Sequence, residues 1–395
     1  MIFFQRVFLF LSAALLLALY LPQLFWLVVA HRDRAPIPFW SPVDERFLFI
    51  RPSAEGSRRT DASGMAISRE EFEGKLPLAF QAQLLKEGRM PEVLNGIKLT
   101  PAAIREGRLT FKASPRGFDF PSVPLYPLFE AESGRARLAL PPDFMRLGRT
   151  IEFIDAKTNQ VNAEKSKRFR DAFLAEGFKF PVRLVGGNPT TLKPYDEGYY
   201  LTDASGFLFH LRMVKDQPRL SRVPDPDGHL NPPGFQPIGI YVQEQESREL
   251  RVILIGAQGE VFFVVGESLR ITPIPLREYR PHTMTLSIRG DMLSRLFTST
   301  GDGKLEVVAT DRALELLAMH EESLPTRDQS TPGRWASAIF PLQWDIESPD
   351  SGYLGFHTRW GTATAWIVWL LPPAIGAILL LSKRKTQPLA TKHRP

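Results

Sequence analysis

The chain carries an uncharged hydrophobic segment near each end, residues 7–30 and residues 362–382, and these two stretches restrict its build more than any other feature. A helix of either length, rising about 1.5 Å per residue, matches a hydrocarbon core of about 30 Å. The first segment leads into His31-Arg32-Asp33-Arg34 after Val28 and Ala30, a small-residue pattern that also suits a cleaved signal peptide. Signal cores run to only about 7–15 apolar residues, so an uncleaved anchor is expected. The second segment is introduced by Trp360, Trp366 and Trp369, is interrupted by Pro372-Pro373, and is followed by Lys383-Arg384-Lys385. Tryptophans favour the headgroup level and basic flanks stay cytoplasmic. The expectation is therefore a protein of the bacterial inner membrane with both termini cytoplasmic, residues 31–361 outside the cytoplasm, and residues 383–395 as a basic cytoplasmic tail.

Charge and cysteine content narrow the function classes. Of 49 Lys and Arg, six (Arg6, Lys383, Arg384, Lys385, Lys392 and Arg394) sit in two terminal stretches free of acids, and the 43 that remain equal the 43 Asp and Glu. Nucleic acid is thus excluded as an expected partner, because a phosphate backbone is held by clustered cations and the interior of this chain is balanced. The membrane, and a protein within it, are the expected partners. Cysteine is absent, which removes disulfides, thiolate nucleophiles and Cys-type metal sites and suits an oxidising compartment.

Between the hydrophobic ends the pattern is α+β, with residues 31–182 an α+β region holding helical elements and a strand-like Thr150–Asp155, and residues 183–361 rich in antiparallel β. Ala35–Pro42 contains three prolines and reads as an extended, stiff connector. Ser68 with Glu71 has capping-box spacing for a helix stopping at Gly88 with a break at Pro77. Thr100-Pro101 opens a second helix ending near Gly107, and residues 163–176 form a third, closed by Gly177. Thr-Asp-Ala-Ser-Gly occurs at 60–64 and again at 202–206. The second copy joins strands Tyr199–Thr202 and Phe207–Val214, with Phe207, Phe209, Leu211 and Met213 on one face. Strand–turn–strand units recur around Gly206, Gly259 and Gly303, each followed by a further strand, the pattern of four-stranded, propeller-like blades. An ordinary antiparallel meander is the simpler alternative.

Catalytic spacing is absent: there is no nucleophile elbow, phosphate loop, dinucleotide fingerprint or His-Glu-x-x-His zinc motif. Accordingly no catalytic residue, cofactor or metal is expected. His210, His229, His282, His320 and His357 are scattered without metal-ligand spacing, and His210 is expected exposed, opposite the Phe207/Phe209 face. Asp225-Pro226-Asp227-Gly228 resembles the start of a calcium loop but lacks the later ligands, and reads as a solvated turn. Asp345 and Glu347 should share a strand face as two solvated acids. The most distinctive passage runs from Gly186-Gly187 to Tyr200. Asn188, Thr190, Thr191, Tyr195, Asp196 and Tyr199 are the candidate binding residues, since flexible glycines, turn-capping side chains and tyrosines suit a recognition loop. A structural role in entering the β-rich half is the alternative.

The Gly-Asn-Pro-Thr-Thr and Tyr-Asp-Glu-Gly-Tyr elements of this passage, with Leu125-Tyr126-Pro127-Leu128 and Phe153-Ile154-Asp155, resemble an uncharacterised bacterial family of membrane-anchored proteins often encoded beside ABC transporter subunits. The resemblance covers the chain to about residue 290. It implies a non-enzymatic accessory role at a transporter and supplies no catalytic residues. An envelope hydrolase using scattered Asp, Glu and His, and a solute-binding or sensor domain, are the competing functions.

Overall fold

The computed structural model describes residues 2–29, 35–53, 56–119, 123–134, 137–230, 234–326, 329–347, 355–367 and 369. These divide into two compact units, residues 35–324 and a second unit drawn from residues 1–34 and 325–395.

The larger unit is a succession of short antiparallel sheets. Sheet I joins Ile37–Ser41, Arg46–Ser53 and Gly56–Asp61, and sheet II joins Leu125–Tyr126, Asp143–Leu147 and Ile151–Asp155. Sheet III is the meander Leu184–Gly187, Tyr199–Thr202, Leu208–Val214 and Gln217–Arg222; sheet IV is Pro237–Val242, Leu250–Gly256, Val261–Val265 and Arg270–Pro273. Sheet V orders Met284–Gly290, Ser294–Gly301, Lys304–Asp311 and Leu316–Ser323, and gains Leu109–Ala113 as a fifth strand beside Met284–Gly290. The four-stranded repeat expected around Gly206, Gly259 and Gly303 is present, each glycine lying in the central hairpin of one meander with positive φ. The boundary at residue 182 is crossed, since Leu109–Ala113 completes a sheet whose other strands begin at residue 284.

Strand alternation explains how the sheets stack. Side chains on successive strand residues point to opposite faces, and here both faces are covered. Tyr199, Leu201, Phe209 and Leu211 of sheet III pack on Met145, Ile151 and Phe153 of sheet II and on Phe169 and Phe173 of helix Ala163–Ala175. The intervening residues Tyr200 and Leu208 turn the other way, against Ile240, Val252, Leu254 and Val264 of sheet IV. Ile253, Ile255 and Phe263 of sheet IV then meet Met284, Leu286, Ile288, Phe297 and Val308 of sheet V. Leu296, Leu305 and Val307 of sheet V meet Trp40, Phe47 and Phe49 of sheet I. A sheet covered on both sides needs unbroken apolar strands, which is why Leu250–Gly256 is buried along its whole length.

Local signals position the helices. Ser68 Oγ accepts from the Glu71 amide at 3.1 Å and Thr100 Oγ1 from the Ala103 amide at 3.2 Å. The first helix stops at Gly74, and a second, Gln81–Lys86, follows Pro77. Ala35–Pro42 departs from the expected connector: Ile37–Ser41 pairs in register with Arg46–Ile50 and buries Trp40. Its prolines fit because this strand has a partner on one side only, leaving edge positions where no ladder donor is needed.

The smaller unit contains helix Ile2–Val29, helix Thr331–Ile339 and the hairpin Leu342–Glu347/Gly355–Trp360. Here the two-transmembrane-helix expectation is corrected: among the described residues no helix is long and apolar enough to cross a membrane. Helix Ile2–Val29 contains Pro22, and its last turns are engaged by protein. Phe25 meets Phe340 edge-on at 5.6 Å and the Trp26 indole donates to Gln343 Oε1 at 3.3 Å. Of the second segment only residues 362–367 and 369 are described, and the Thr362 amide and hydroxyl both donate to Ser337 O. Pro372-Pro373 and the basic tail 383–395 lie outside the described residues. Asp345 and Glu347 are registered opposite His357 and Gly355; the side chains of Asp345, Glu347 and His357 lie outside the described residues.

Candidate functional site

A cleft of about 620 Å³ opens between sheets III and IV, lined by Tyr195, Asp196 and Glu197 from the loop, His210, Arg212, Arg219 and Ser221 from sheet III, Arg251 from sheet IV and Arg248 from the turn that leads into it. Register dictates this lining. Tyr200 is opposite His210 and His210 opposite Ser221, while Arg212 is opposite Arg219, so one face of sheet III carries all five. The hairpin that sets this register turns through Lys215-Asp216, both at positive φ. Neither residue is Gly, and the turn is held from outside by Glu130, whose carboxylate accepts from the Lys215 and Asp216 amides at 2.9 and 3.1 Å.

Two buried charge clusters fix the loop at the cleft wall. Lys193 Nζ donates to Asp196 Oδ1 at 2.6 Å, to Glu244 Oε1 at 2.8 Å and to Asn188 O at 2.8 Å, and lies 4.8 Å from the centre of the Phe129 ring. The Lys193 side chain is 2% exposed and those of Asp196 and Glu244 are 1% exposed. Burial pushes the Glu244 carboxyl up, against the pull of Lys193, the Glu197 amide and Asn188. In the second cluster Glu197 accepts from Arg251 and from the Tyr200 hydroxyl, the latter at 3.1 Å.

His210 is not the exposed side chain expected. Its ring stacks on Tyr200 with centroids 4.3 Å apart, and its Nε2 lies 2.6 Å from Glu197 O, which can only accept. Burial holds the imidazole below its ordinary value, reinforced by Arg212 and Arg251 and opposed by Glu197. The Tyr195 phenol is pushed up to about 12, chiefly by burial, and its ring carries the Arg248 guanidinium at 4.2 Å.

Four buried polar atoms on this cleft have no hydrogen-bond partner among the described residues: Tyr195 OH, Asp196 Oδ2, Arg212 Nε and Arg251 Nε. Leaving a buried group unsatisfied costs about 1–3 kcal/mol, so several on one wall mark a place where water or a ligand supplies partners.

The six candidate residues read from the sequence separate. Tyr195 and Asp196 line the cleft, and Asn188 supports it by donating to Glu244 at 2.8 Å. Thr190 accepts from the Leu192 amide at 3.1 Å within the loop, and Thr191 is half-buried beside it. Tyr199 faces away into the core, where its hydroxyl donates to Pro127 O at 2.9 Å. The glycines are there for space rather than mobility: a Cβ on Gly187 would stand 2.3 Å from the Tyr199 ring, and one on Gly186 2.3 Å from Ile240. Lys193, Arg212, Arg219, Glu244, Arg248 and Arg251 were not singled out by the sequence. The His210/Arg212 alternation was a usable signal for Arg212, whereas Arg251 comes from another sheet and Arg248 from the turn before it. At the Asp225 turn, the carboxylate accepts from the His229 and Leu230 amides at 2.9 and 2.8 Å. Among the described residues no group of three or more His, Asp or Glu is placed to hold a metal ion.

These features define a β-rich domain of stacked antiparallel sheets with a charged cleft between two of its meanders. The chain belongs to the family described as "Domain of unknown function (DUF4857)", whose model matches residues 37–310. No curated protein matches. A solved structure titled "Structure of Dos1 propeller" is similar at 9% identity with a TM-score of 0.27, over 48% of this chain and 46% of that one. The likeness spans under half of that chain.

Proposed function

We propose that the protein is a binding module, acting outside the cytoplasm as an accessory to a transporter of the bacterial inner membrane. The observation that carries the binding role is the cleft between sheets III and IV, whose wall is fixed by the Lys193–Asp196–Glu244 and Glu197–Arg251 pairs while other polar atoms on it stay unpartnered. Fixed walls lower the ordering cost of capturing a partner. The transporter as the setting is supported by the resemblance carried by the 186–200 passage, and the compartment by the absence of cysteine.

The test is photo-crosslinking in cells from the exposed rim residues Glu132 and Glu267. A transporter subunit should be captured from both positions and not from Arg58, which is exposed on sheet I. Adducts with no transporter subunit at either rim position would defeat the accessory reading.

A further inference from the structure

Arg212 and Arg219 occupy directly opposed positions on neighbouring strands. Like charges in that relation destabilise a sheet, and a sequence normally relieves them with a nearby carboxylate. Here the acids of the same cleft are committed elsewhere: Asp196 bonds Lys193, and Glu197 bonds Arg251 and Tyr200. Glu132 and Glu267 stand exposed on the rim. Among the described residues neither Arg212 nor Arg219 has an ion-pair partner, and the Nε of Arg212 is buried without a hydrogen bond. Water can satisfy a stray N–H, but it does not neutralise two arginines lining one cleft wall. An oxyanion does both, because the planar fork of Arg matches carboxylate or phosphate oxygens in bidentate fashion.

The remaining orphans on the cleft set what else the molecule must carry. Asp196 Oδ2 is an acceptor and asks for a hydroxyl or ammonium, whereas Tyr195 OH can donate or accept. A bare inorganic anion would leave Asp196 facing negative charge. Building on the binding-module reading above, we propose that this cleft takes a small hydroxylated organic anion, its carboxylate or phosphate group between Arg212 and Arg219 and its hydroxyls toward Asp196 and Tyr195. A volume of about 620 Å³ lies within the ordinary range of small-molecule sites.

Titration calorimetry on the full chain tests this with three probes: glucuronate, glucose 6-phosphate and glucose. At least one of the two anionic sugars should bind saturably and lose affinity with added salt, and glucose should bind at least tenfold more weakly. Which anion wins distinguishes carboxylate from phosphate. Arg212→Gln and Arg219→Gln should each weaken the preferred anion at least tenfold, while Arg58→Gln on sheet I leaves it unchanged. Because Arg219 is exposed on its strand, its substitution keeps the test alive if Arg212→Gln folds poorly. Without ligand, Arg219→Gln should melt at the same temperature as the natural protein or higher, since one of two repelling charges is gone. Equal binding of all three sugars, or natural affinity in both variants, overturns the proposal. No binding of any probe, with a transporter subunit still captured from the rim, overturns the anion site and leaves the accessory role standing.

Discussion

The carboxylates of Asp61 and Asp203 do the same work in two copies of one pentapeptide. Asp61 Oδ1 accepts from the Ser63 and Met65 amides, and Asp203 Oδ1 from the Ser205 and Phe207 amides, all at 2.9 Å, with Gly64 and Gly206 at φ +87° and +88°. The repeat is thus an Asp-anchored turn in which Gly supplies the positive φ. Lys193 is the residue on which the cleft wall depends most. Removing one partner of a buried pair typically costs about 3–5 kcal/mol, so Lys193→Met should lower the unfolding free energy in urea by that order, with both Asp196 and Glu244 left uncompensated. His210 gives a pH signature. Its folded pKa is depressed below the unfolded value of about 6.5, so the unfolded chain takes up the proton first. The stability of neutral His210 is therefore full above that value and declines as pH falls through it toward the lower folded pKa. Melting temperatures between pH 7.5 and 5.5 should fall more steeply in the natural protein than in His210→Gln, whose side chain does not titrate.

Among elements, helix Ala163–Ala175 shows how much the sequence discloses. Its Asn162 cap accepts from the Lys165 amide at 3.0 Å, and Phe169 and Phe173, four apart on one face, are fully buried against sheets II and III. Phe173→Ala should cost about 3–5 kcal/mol, read as a lower urea midpoint with an unchanged slope. This helix, the Ser68 and Thr100 caps and the three meanders were legible because each rests on local chemistry: a capping side chain, a period of 3.6 or 2, a turn glycine. The Lys215-Asp216 turn was not, since two-residue hairpins of this kind usually show Asn-Gly and here Glu130, distant in sequence, holds the backbone instead. With that turn unread, the Arg212/Arg219 opposition could not be placed. The cleft was half legible: Tyr195 and Asp196 came from a conspicuous local passage, whereas Glu244, Arg248 and Arg251 reach it only through packing of sheet III on sheet IV. Apolar strands in sheets covered on both faces likewise leave no alternation from which to read which neighbour they meet.

For the whole molecule, the division observed is residues 35–324 against a unit made from both ends of the chain. A protein comprising residues 35–324 should be soluble and melt cooperatively by circular dichroism, because its sheets cover one another in the order II, III, IV, V, I. Residues 183–324 alone should aggregate or melt without cooperativity, because the edge of Met284–Gly290 then lacks Leu109–Ala113 and the sheet III face lacks Phe169 and Phe173. Cooperative melting of the shorter piece would show that the early strand is dispensable. That strand also sets a clock on biosynthesis. Leu109–Ala113 leaves the ribosome about 170 residues ahead of the partner it pairs with, and at roughly 5–20 residues per second it waits about 10–30 s. Throughout that interval its unpaired backbone and the apolar Leu109, Phe111 and Ala113 are open to any other chain nearby. Pairing of this edge is therefore among the last events of the fold, because it cannot be completed until residue 290 has emerged.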